Sequence, residues 1–402
     1  MVFIDRFQVD GGIMLRLRPL LSLGISLLVS LIILSACGDT TSSNATPTPQ
    51  SSGYKHIFYI MMENHGTSEI IGNTADAPYI NQLANQYGVA LSYFGVTHPS
   101  LPNYLAAISG NFQGIWDDCK AGASVTCAPE EFGPDASYTQ KSELLTVDQI
   151  SKATSTPHMF DAKNLVDQLE AHGLTWKAYM QSMPSVGFTG EYYPTTTVQG
   201  KTSPIKLYAQ KHNPFEYFSD IANNPSRMQK IVPFTQFSQD ITSTNVPNFV
   251  WISPDQCHDM HGVSPSNAAA INIPDCAFPA SGLDHKVIAL GDTFLSQTVP
   301  MIMNSPAWKE GSAIVIAWDE DDYSGFAGCC DSPTGVKGTV LGGANAPAII
   351  ITSHGSHPMK VSDTSYNHYS LLGTIEKLWN LGCLANTCKI SDGALMTRFF
   401  QF

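Results

Sequence analysis

Acidic, amide and imidazole side chains follow three apolar segments of the chain, shortly after each segment ends. The three groups are Glu63, Asn64 and His65; Asp255, His258, Asp259 and His261; and Asp319, Glu320, Asp321 and Asp322. Carboxylates gathered in one place repel each other unless they are protonated or bound to a cation. A hard divalent ion with oxygen ligands is the simplest such cation. The pattern therefore predicts a site for a divalent metal ion, with calcium, magnesium, manganese and zinc as the candidates.

A serine opens the second element of interest, the segment THPSLPNYLAAISG. Ser100 occupies the position expected for a helix N-cap, with Pro102 in the first turn and Gly110 as the stop. Free N–H groups and the helix dipole at such a terminus favour a bound phosphate, and they also favour the alkoxide of a serine. Capping a helix is the ordinary role of such a serine, so this alternative stays open at this point.

Short apolar segments and helical patterns alternate along the chain. The apolar segments, which predict buried parallel strands, are His56–Met62, Thr175–Met180, Asn248–Ile252, Ala313–Trp318 and Pro347–Thr352. The helical patterns are Asn164–His172, Asp284–Met303 and Tyr369–Leu381. This alternation predicts an α/β fold with a mainly parallel central sheet and helices on both faces. Ligands bind such sheets beyond the carboxyl ends of the strands, where the acidic groups lie. Residues 181–247 show weak periodicity and are interpreted as an insertion over one edge of the sheet.

The N-terminus predicts export. Residues 20–36 form an apolar run after two arginines, which is typical of a secretory signal, so residues 1–36 are interpreted as a signal peptide. The run ends in LSAC, which resembles a bacterial lipoprotein cleavage box and would make Cys37 the lipidated first residue, anchored in a membrane. A transmembrane anchor is the alternative, because 17 residues is close to the shortest span. Residues 37–53 are rich in Ser, Thr and Pro and predict a flexible tether, which leaves residues 54–402 as the catalytic domain.

Eight cysteines follow Cys37, and an even number in an exported chain predicts disulfides. Short loops favour the pairs Cys119–Cys127, Cys257–Cys276 and Cys383–Cys388. The adjacent Cys329 and Cys330 are then either bridged to each other or paired elsewhere. The formal net charge of −13 argues against a nucleic-acid-binding surface, which would need a basic stripe.

Six blocks of sequence occur in the order of a known family between His56 and Leu381. They are ENHGTSEIIGN, APYINQLA, THPSLPNYLAAISGN, SPDQCHDMHG, AWDEDD and NHYSLLGTIEKLWNL. Together they resemble the bacterial phosphoesterase family, which contains secreted acid phosphatases and phosphatidylcholine-type phospholipases C. That family is similar in fold to alkaline phosphatases and sulfatases. The resemblance implies an alkaline-phosphatase-like sheet and a phosphate-ester substrate.

The resemblance also implies roles for individual residues. Ser100 would be the nucleophile and would be phosphorylated transiently while it is bound to metal. The metal ligands would be Glu63, Asn64, Ser100, Asp319 and Glu320. The imidazoles around the phosphate, acting as donors or proton carriers, would be His98, His258, His261 and His368, with Asn64, His258 and His368 binding the substrate. Imidazoles that act in the charged form would favour mildly acidic pH.

These observations predict an exported hydrolase of phosphate monoesters that is similar to acid phosphatases. A phospholipase C-type phosphodiesterase is the alternative, because it would use the same site. The family's phospholipases carry extra C-terminal domains, and this chain ends about twenty residues after the NHYSLL helix. A non-catalytic surface binding protein is a further alternative. A sulfatase is disfavoured, because HPSLPNYL lacks the arginine of the sulfatase nucleophile motif.

Overall fold

The computed structural model describes residues 53–130, 141–198, 201–279, 282–322 and 325–401. The predicted signal peptide, Cys37 and the tether up to residue 52 lie outside the described residues. Within the described part of the chain, no helix is both long and apolar enough to cross a membrane.

Strands and helices alternate along most of the described chain. The strands are β1 (His56–Met62), β2 (Gly88–Phe94), β3 (Trp176–Met180), β4 (Tyr192–Val198), β5 (Lys201–Ala209), β6 (Ile231–Pro233), β7 (Phe249–Ser253), β8 (Ser312–Trp318), β9 (Asn345–Thr352), β10 (Met359–Val361) and β11 (Tyr366–Asn367). The helices are α1 (Thr67–Ile70), α2 (Pro78–Gln86), α3 (Ser100–Ser109), α4 (Lys141–Leu144), α5 (Val147–Ser155), α6 (Leu165–Ala171), α7 (Ser219–Ala222), α8 (Pro225–Met228), α9 (Phe237–Asp240), α10 (Pro265–Ala270), α11 (His285–Met303) and α12 (His368–Trp379). All five predicted strands and all three predicted helices form, with ends shifted by a few residues.

The main sheet has the strand order β10-β2-β9-β8-β1-β7-β3-β6, and β11 also pairs with β2. Strands β8, β1, β7, β3 and β6 run parallel to one another. The register pairs His56 with Ser312 and Met62 with Trp318, so β1 and β8 end level with each other. Glu63 and Asp319, the next residues along each strand, therefore leave the sheet at the same edge. The prediction of a mainly parallel α/β sheet is confirmed.

Strand β9 forms where it was predicted, but it runs antiparallel to both β8 and β2. Its carboxyl end, followed by His354 and His357, therefore points to the opposite edge of the sheet from Glu63. Its first residue, Asn345, lies on the Glu63 side instead. Residues 181–247, predicted to be an insertion, form the separate β4–β5 hairpin and also contribute β6 to the main sheet.

Both faces of the sheet are covered by helices. In β1, Ile57, Tyr59 and Met61 pack on the face that carries α3, α6 and α12. The alternating residues Phe58 and Ile60 pack on the other face with α2 and α11. Burial on both faces explains why the parallel strands read as continuous apolar runs rather than alternating ones.

Four disulfides occur among the described residues. They are Cys119–Cys127, Cys257–Cys276, Cys383–Cys388 and the adjacent pair Cys329–Cys330. The three short-loop pairs are confirmed, and the open choice for the adjacent pair is resolved in favour of a bridge between the two neighbours.

Two glycines let the segment before α3 lie directly against the segments that precede β9 and follow β8. Gly95 and Gly343 are hydrogen-bonded through their backbones at 3.0 Å. A Cβ atom on Gly95 would lie 2.7 Å from the carbonyl oxygen of Asp319 and 2.9 Å from Cα of Gly343. Both contacts are with backbone, which cannot rotate away. The close packing of the segment before Ser100 on the backbone of Asp319 thus depends on the missing side chain at Gly95.

We expect Gly95→Ala to lower the free energy of unfolding by about 1–3 kcal/mol, because the added methyl group overpacks a backbone contact. Gly393→Ala is the matched control, since a Cβ atom there meets nothing within 4 Å. Denaturant unfolding of both variants measures the difference. Equal stability of the two variants would show that the backbone around Gly95 accommodates the added methyl group without loss of stability.

Candidate functional site

Ser100 is the first residue of α3, and Pro99 before it is the N-cap. The prediction that Ser100 caps the helix is therefore wrong by one residue. The shift matters chemically, because the Ser100 hydroxyl is not engaged with the backbone of its own helix. Gly110 ends the helix in the left-handed conformation with φ of 67°, as the sequence predicts.

The hydroxyl of Ser100 lies among the predicted metal ligands. Its Oγ donates to Oε2 of Glu63 at 2.8 Å, and Oδ1 of Asn64 lies 3.3 Å away. Oε1 of Glu320 is at 3.4 Å. Ser100, Glu63 and Glu320 have no exposed surface. The structure thus brings residues from the ends of β1 and β8 to the start of α3.

Asn103, one turn into α3, holds the segment before Ser100 in place. Its Oδ1 accepts from the backbone N–H groups of Val96 at 2.7 Å and Thr97 at 3.2 Å. Its Nδ2 donates to the carbonyl oxygen of Thr97 at 2.5 Å and to Oε2 of Glu320 at 3.4 Å. One buried amide therefore ties the nucleophile segment to an acid of the site. No sequence pattern indicated this role, because Asn103 is an ordinary polar residue in a helix.

Asp319 organises the backbone around the acids. Its Oδ1 accepts from the N–H groups of Asn64 at 3.1 Å and Glu320 at 2.8 Å. Asn64 has a φ of 44°, in the left-handed region that asparagine tolerates better than most residues. Burial raises the pKa of Asp319 well above its usual range, and the charges of Glu63 and Glu320 raise it further.

Several oxygens of these acids have no hydrogen-bond donor among the described residues. They include Oδ2 of Asp319, and also Oδ2 of Asp259 and Oε1 of Glu63, which lie 3.1 and 3.2 Å from ring nitrogens of His212 but without hydrogen-bond geometry. Burial also raises the pKa values of Glu63 and Asp259, although the charge of Lys211 opposes the shift in both. Buried carboxylate oxygens without donors are costly unless a cation satisfies them. This donor set of carboxylate and amide oxygens fits a hard divalent ion.

Two of the predicted imidazoles use both ring nitrogens inside the protein. His98 lies 2.6 Å through Nδ1 from Oε2 of Glu320 and 2.9 Å through Nε2 from the carbonyl oxygen of Gly325. His368 contacts the hydroxyl of Tyr93 at 2.8 Å and the carbonyl oxygen of Asp319 at 2.7 Å. Burial lowers the pKa of His368 to about 4. In this arrangement His98 supports the carboxylate of Glu320, and His368 supports the backbone of Asp319. The predicted contact of both rings with phosphate stays a prediction.

The other two predicted imidazoles have different surroundings. His261 donates through Nδ1 to the carbonyl oxygen of Gly262 at 2.8 Å, and its Nε2 lies 3.5 Å from Nζ of Lys211. Burial lowers the pKa of His261 to about 3, and the charge of Lys211 contributes. A low pKa favours the neutral ring, and the predicted contact of His261 with phosphate stays a prediction.

His258 lies towards α11 rather than towards Ser100's hydrogen-bonding partners. Its Nδ1 pairs with Oδ1 of Asp255 at 2.8 Å, and its ring is 5.8 Å from the ring of Phe294. It lines a cavity of about 310 Å³ together with residues of α11. Burial lowers its pKa, but the bond to Asp255 outweighs that effect, so the net shift is upward. Its predicted role at the phosphate stays a prediction.

Two residues of the site, Lys211 and His212, were missed by the sequence interpretation. They lie in a 3₁₀ turn, Gln210–His212, within the segment that showed weak periodicity. Nζ of Lys211 donates to Oδ2 of Asp118 at 2.8 Å and to Oγ of Ser100 at 3.3 Å. The useful signal was the adjacent pair of basic residues, but no strand was predicted to end there, although β5 ends at Ala209.

The ring of His212 lies between two of the buried acids. Its Nε2 lies 3.2 Å from Oε1 of Glu63, and its Nδ1 lies 3.1 Å from Oδ2 of Asp259. The ring stacks on Tyr104 of α3 with a centroid distance of 5.2 Å. Burial lowers the pKa of His212 well below its usual value, and the charge of Lys211 adds to this. A neutral imidazole between two acids leaves their charge to be balanced by other groups.

Comparison with known proteins identifies relatives. A probable acid phosphatase of Kluyveromyces lactis is 22% identical over 347 residues, which are 86% of this chain and 63% of the yeast protein. A phosphatidylinositol-3-phosphatase of Mycobacterium tuberculosis is 25% identical over 358 residues, 87% of this chain and 85% of that protein. This chain thus spans less than two thirds of the length of the yeast relative.

A solved structure described as a protein in the alkaline phosphatase superfamily, from Vibrio parahaemolyticus, aligns over 83% of this chain and 67% of that chain. The alignment has 12% sequence identity and a TM-score of 0.41. Residues 73–277 and 278–382, well over half of the chain, match the Phosphoesterase family. The two ranges include Ser100 and most of the acids and imidazoles described above. The chain belongs to the Phosphoesterase family.

Proposed function

We propose that this protein hydrolyses phosphate monoesters, with Ser100 as the nucleophile and a divalent metal ion as its cofactor. The observation that carries the proposal is the position of the Ser100 hydroxyl. It lies at the first residue of α3, within 3.4 Å of oxygens from Glu63, Asn64 and Glu320. The names of the yeast and mycobacterial relatives, both phosphatases, support the reaction class.

The reaction needs positive charge, because a phosphate ester repels an oxygen nucleophile. Two features of the chain supply it at Ser100, the N-terminus of α3 and the ammonium of Lys211, and a divalent ion held by the acids would add to it. The N–H groups of a helix N-terminus favour a bound phosphate. The ammonium at 3.3 Å favours the ionised form of the serine oxygen.

In the first step the Ser100 hydroxyl gives its proton to Oε2 of Glu63, which accepts its hydrogen bond at 2.8 Å, and Oγ attacks phosphorus in line with the ester oxygen. The new Oγ–P bond forms as the P–O bond to the alcohol breaks, and the alcohol oxygen leaves with the electron pair and takes up a proton from solvent. Water then attacks the phosphoserine, releases inorganic phosphate and restores the hydroxyl. The side chain of Asn103 is hydrogen-bonded to both Thr97 and Glu320, and His98, two residues before Ser100, pairs with Glu320. These contacts keep Ser100 and Glu320 aligned throughout.

The metal ion would be held by Glu63, Asn64, Asp319 and Glu320, with Ser100 beside it. When bound, a divalent ion lowers the pKa of a neighbouring hydroxyl and offsets phosphate charge. The oxygens of Glu63 and Asp319 that lack hydrogen-bond donors support this assignment.

A phospholipase C-type diesterase remains the second candidate, since Ser100 and the acids would serve either reaction. The mycobacterial relative, named as a phosphatase of a phosphorylated lipid, favours a monoester that can be lipid-borne. Comparing a phosphomonoester with phosphatidylcholine as substrates separates the two.

The proposal includes export and lipid attachment at Cys37. Four disulfides among the described residues are typical of proteins in an oxidising compartment. The apolar run of residues 20–36 and the LSAC box support cleavage before Cys37.

We expect Ser100→Ala to lose several orders of magnitude in turnover, because no oxygen remains to attack phosphorus. Acid quenching of the wild-type protein during turnover should trap phosphate on the peptide that contains Ser100. Ser109→Ala is the matched control in the same helix, where the hydroxyl donates only to backbone oxygens. A Ser100→Ala variant with nearly normal turnover, and no phosphopeptide, would assign catalysis to an activated water instead.

We expect Asp319→Asn to weaken divalent-metal binding by a factor of about 100 or more, because it removes a charge that the ion balances. Calorimetric titration of the metal-free protein measures this independently of activity. Asp292→Asn is the control, since Asp292 is a buried acid that accepts from the N–H groups of Tyr79 and Ile80 in α2. Unchanged metal affinity in Asp319→Asn would remove Asp319 from the ligand set.

We expect Cys37→Ser to abolish lipid attachment, because a serine offers no thiol for acylation. Mass spectrometry of the mature N-terminus and membrane fractionation report the change, with Ser42→Ala in the tether as the control. A wild-type mature protein that begins at a residue other than Cys37 would contradict the lipoprotein assignment.

A further inference from the structure

Lys211 places an ammonium group directly beside the proposed nucleophile. Its Nζ is 2.8 Å from Oδ2 of Asp118, 3.3 Å from Oγ of Ser100 and 3.5 Å from Nε2 of His261. The side chain is only 10% exposed. Among the described side chains that hydrogen-bond to the Ser100 hydroxyl, Glu63 and Glu320 supply acid oxygens and Lys211 supplies a cation.

The position of this ammonium is fixed by the nucleophile helix itself. Oδ2 of Asp118 accepts from Lys211, and Oδ1 of the same carboxylate accepts from the backbone N–H of Leu101 at 2.9 Å. Leu101 is the residue after Ser100 in α3. Asp118 therefore links Nζ of Lys211 to the first turn of α3. This link helps to hold Nζ at its distance from Oγ of Ser100.

The other end of Lys211 is also held. The neighbouring Gln210 accepts from the backbone N–H of Ala121 at 3.1 Å and donates to Oε2 of Glu216 at 2.5 Å. The neighbouring His212 stacks on Tyr104. Both flanking residues are buried, so the turn presents Lys211 from a rigid support.

The ammonium of Lys211 keeps its positive charge in this environment, whereas the neighbouring ring of His261 is neutral. Burial works to lower the pKa of Lys211, but the charges of Asp118 and Glu63 outweigh it and the net shift is upward. Nδ1 of His261 donates to the carbonyl oxygen of Gly262, so Nε2 of the neutral ring is an acceptor facing Lys211. An ammonium has three N–H donors. Those towards Asp118 and His261 are structural, and the third points to the oxygen of Ser100.

A phosphate group that Ser100 attacks brings its own oxygens within reach of this third N–H. A monoester has three non-bridging oxygens and carries two charges above its second ionisation near pH 6. A diester has two such oxygens and a single charge. We propose that Lys211, oriented by Asp118, binds the third non-bridging oxygen and makes the site selective for dianionic phosphate monoesters over diesters. This inference rests on the proposed function and names the residue that determines its substrate class.

The test compares 4-nitrophenyl phosphate with bis(4-nitrophenyl) phosphate, which have the same leaving group, at a pH above 7. We expect Lys211→Met to lower kcat/KM for the monoester by about 100-fold and for the diester by less than about tenfold. Lys211→Arg keeps the charge and should retain most of the monoester preference. Asp118→Asn keeps the ammonium but loses its anchor, and should lower the preference to an intermediate value.

Lys177→Met is the matched control, because Lys177 is also partly buried and pairs with Asp240 at 2.6 Å away from Ser100. It should leave both rates unchanged. A fall of the same factor for both esters in Lys211→Met, or an unchanged ratio in Asp118→Asn, would overturn the selectivity role while the proposed function stands. If the wild-type protein hydrolyses neither ester, the proposed function fails and this inference fails with it. Should Lys211→Met not fold, the ratio in Asp118→Asn decides alone.

Discussion

The burial of several carboxylates at one edge of the sheet is the constraint on which the rest of the site depends. Glu63, Asp259 and Asp319 have no exposed surface, and burial raises the pKa of each. Acids placed together in a low dielectric are stable only with donors or cations beside them. The backbone N–H of Asn64 and the ammonium of Lys211 provide part of that compensation. The oxygens left without donors indicate where a metal ion would supply the rest.

Parallel strands explain why part of this site could be predicted from the sequence. Strands buried on both faces read as continuous apolar runs, so their ends are visible as the first polar residues. Because β1 and β8 are parallel neighbours in register, Glu63 and Asp319 necessarily meet at one edge. The same reasoning failed for β9, since nothing in an apolar run records its direction. That strand is antiparallel, and His354 after it lies at the other edge.

The parts of the site that the sequence did not predict share a physical feature: they are held by tertiary contacts rather than by a periodic element. Lys211 and His212 occupy a short 3₁₀ turn whose position depends on Asp118 and Tyr104. In the sequence Asn103 is an ordinary polar residue of a helix. Its hydrogen bond to the carbonyl oxygen of Thr97 is visible only in the structure. Local sequence patterns do not reveal such partners, because each contact joins residues that are distant in sequence or that come together where the chain folds back.

The histidines show which polar groups can balance the charge of the buried carboxylates. A family motif identifies His98, His261 and His368, but the structure uses most of their ring nitrogens to bind acids and carbonyl oxygens. The pKa values of His261 and His368, lowered by burial to about 3 and about 4, leave these rings neutral at mildly acidic pH. Neutral rings cannot balance buried carboxylates or a phosphate. In the proposed mechanism the balance falls to groups whose charge does not change over that pH range, the ammonium of Lys211 and the proposed divalent ion. A site built in this way can keep its electrostatic complementarity to phosphate where histidine protonation alone would make it vary with pH.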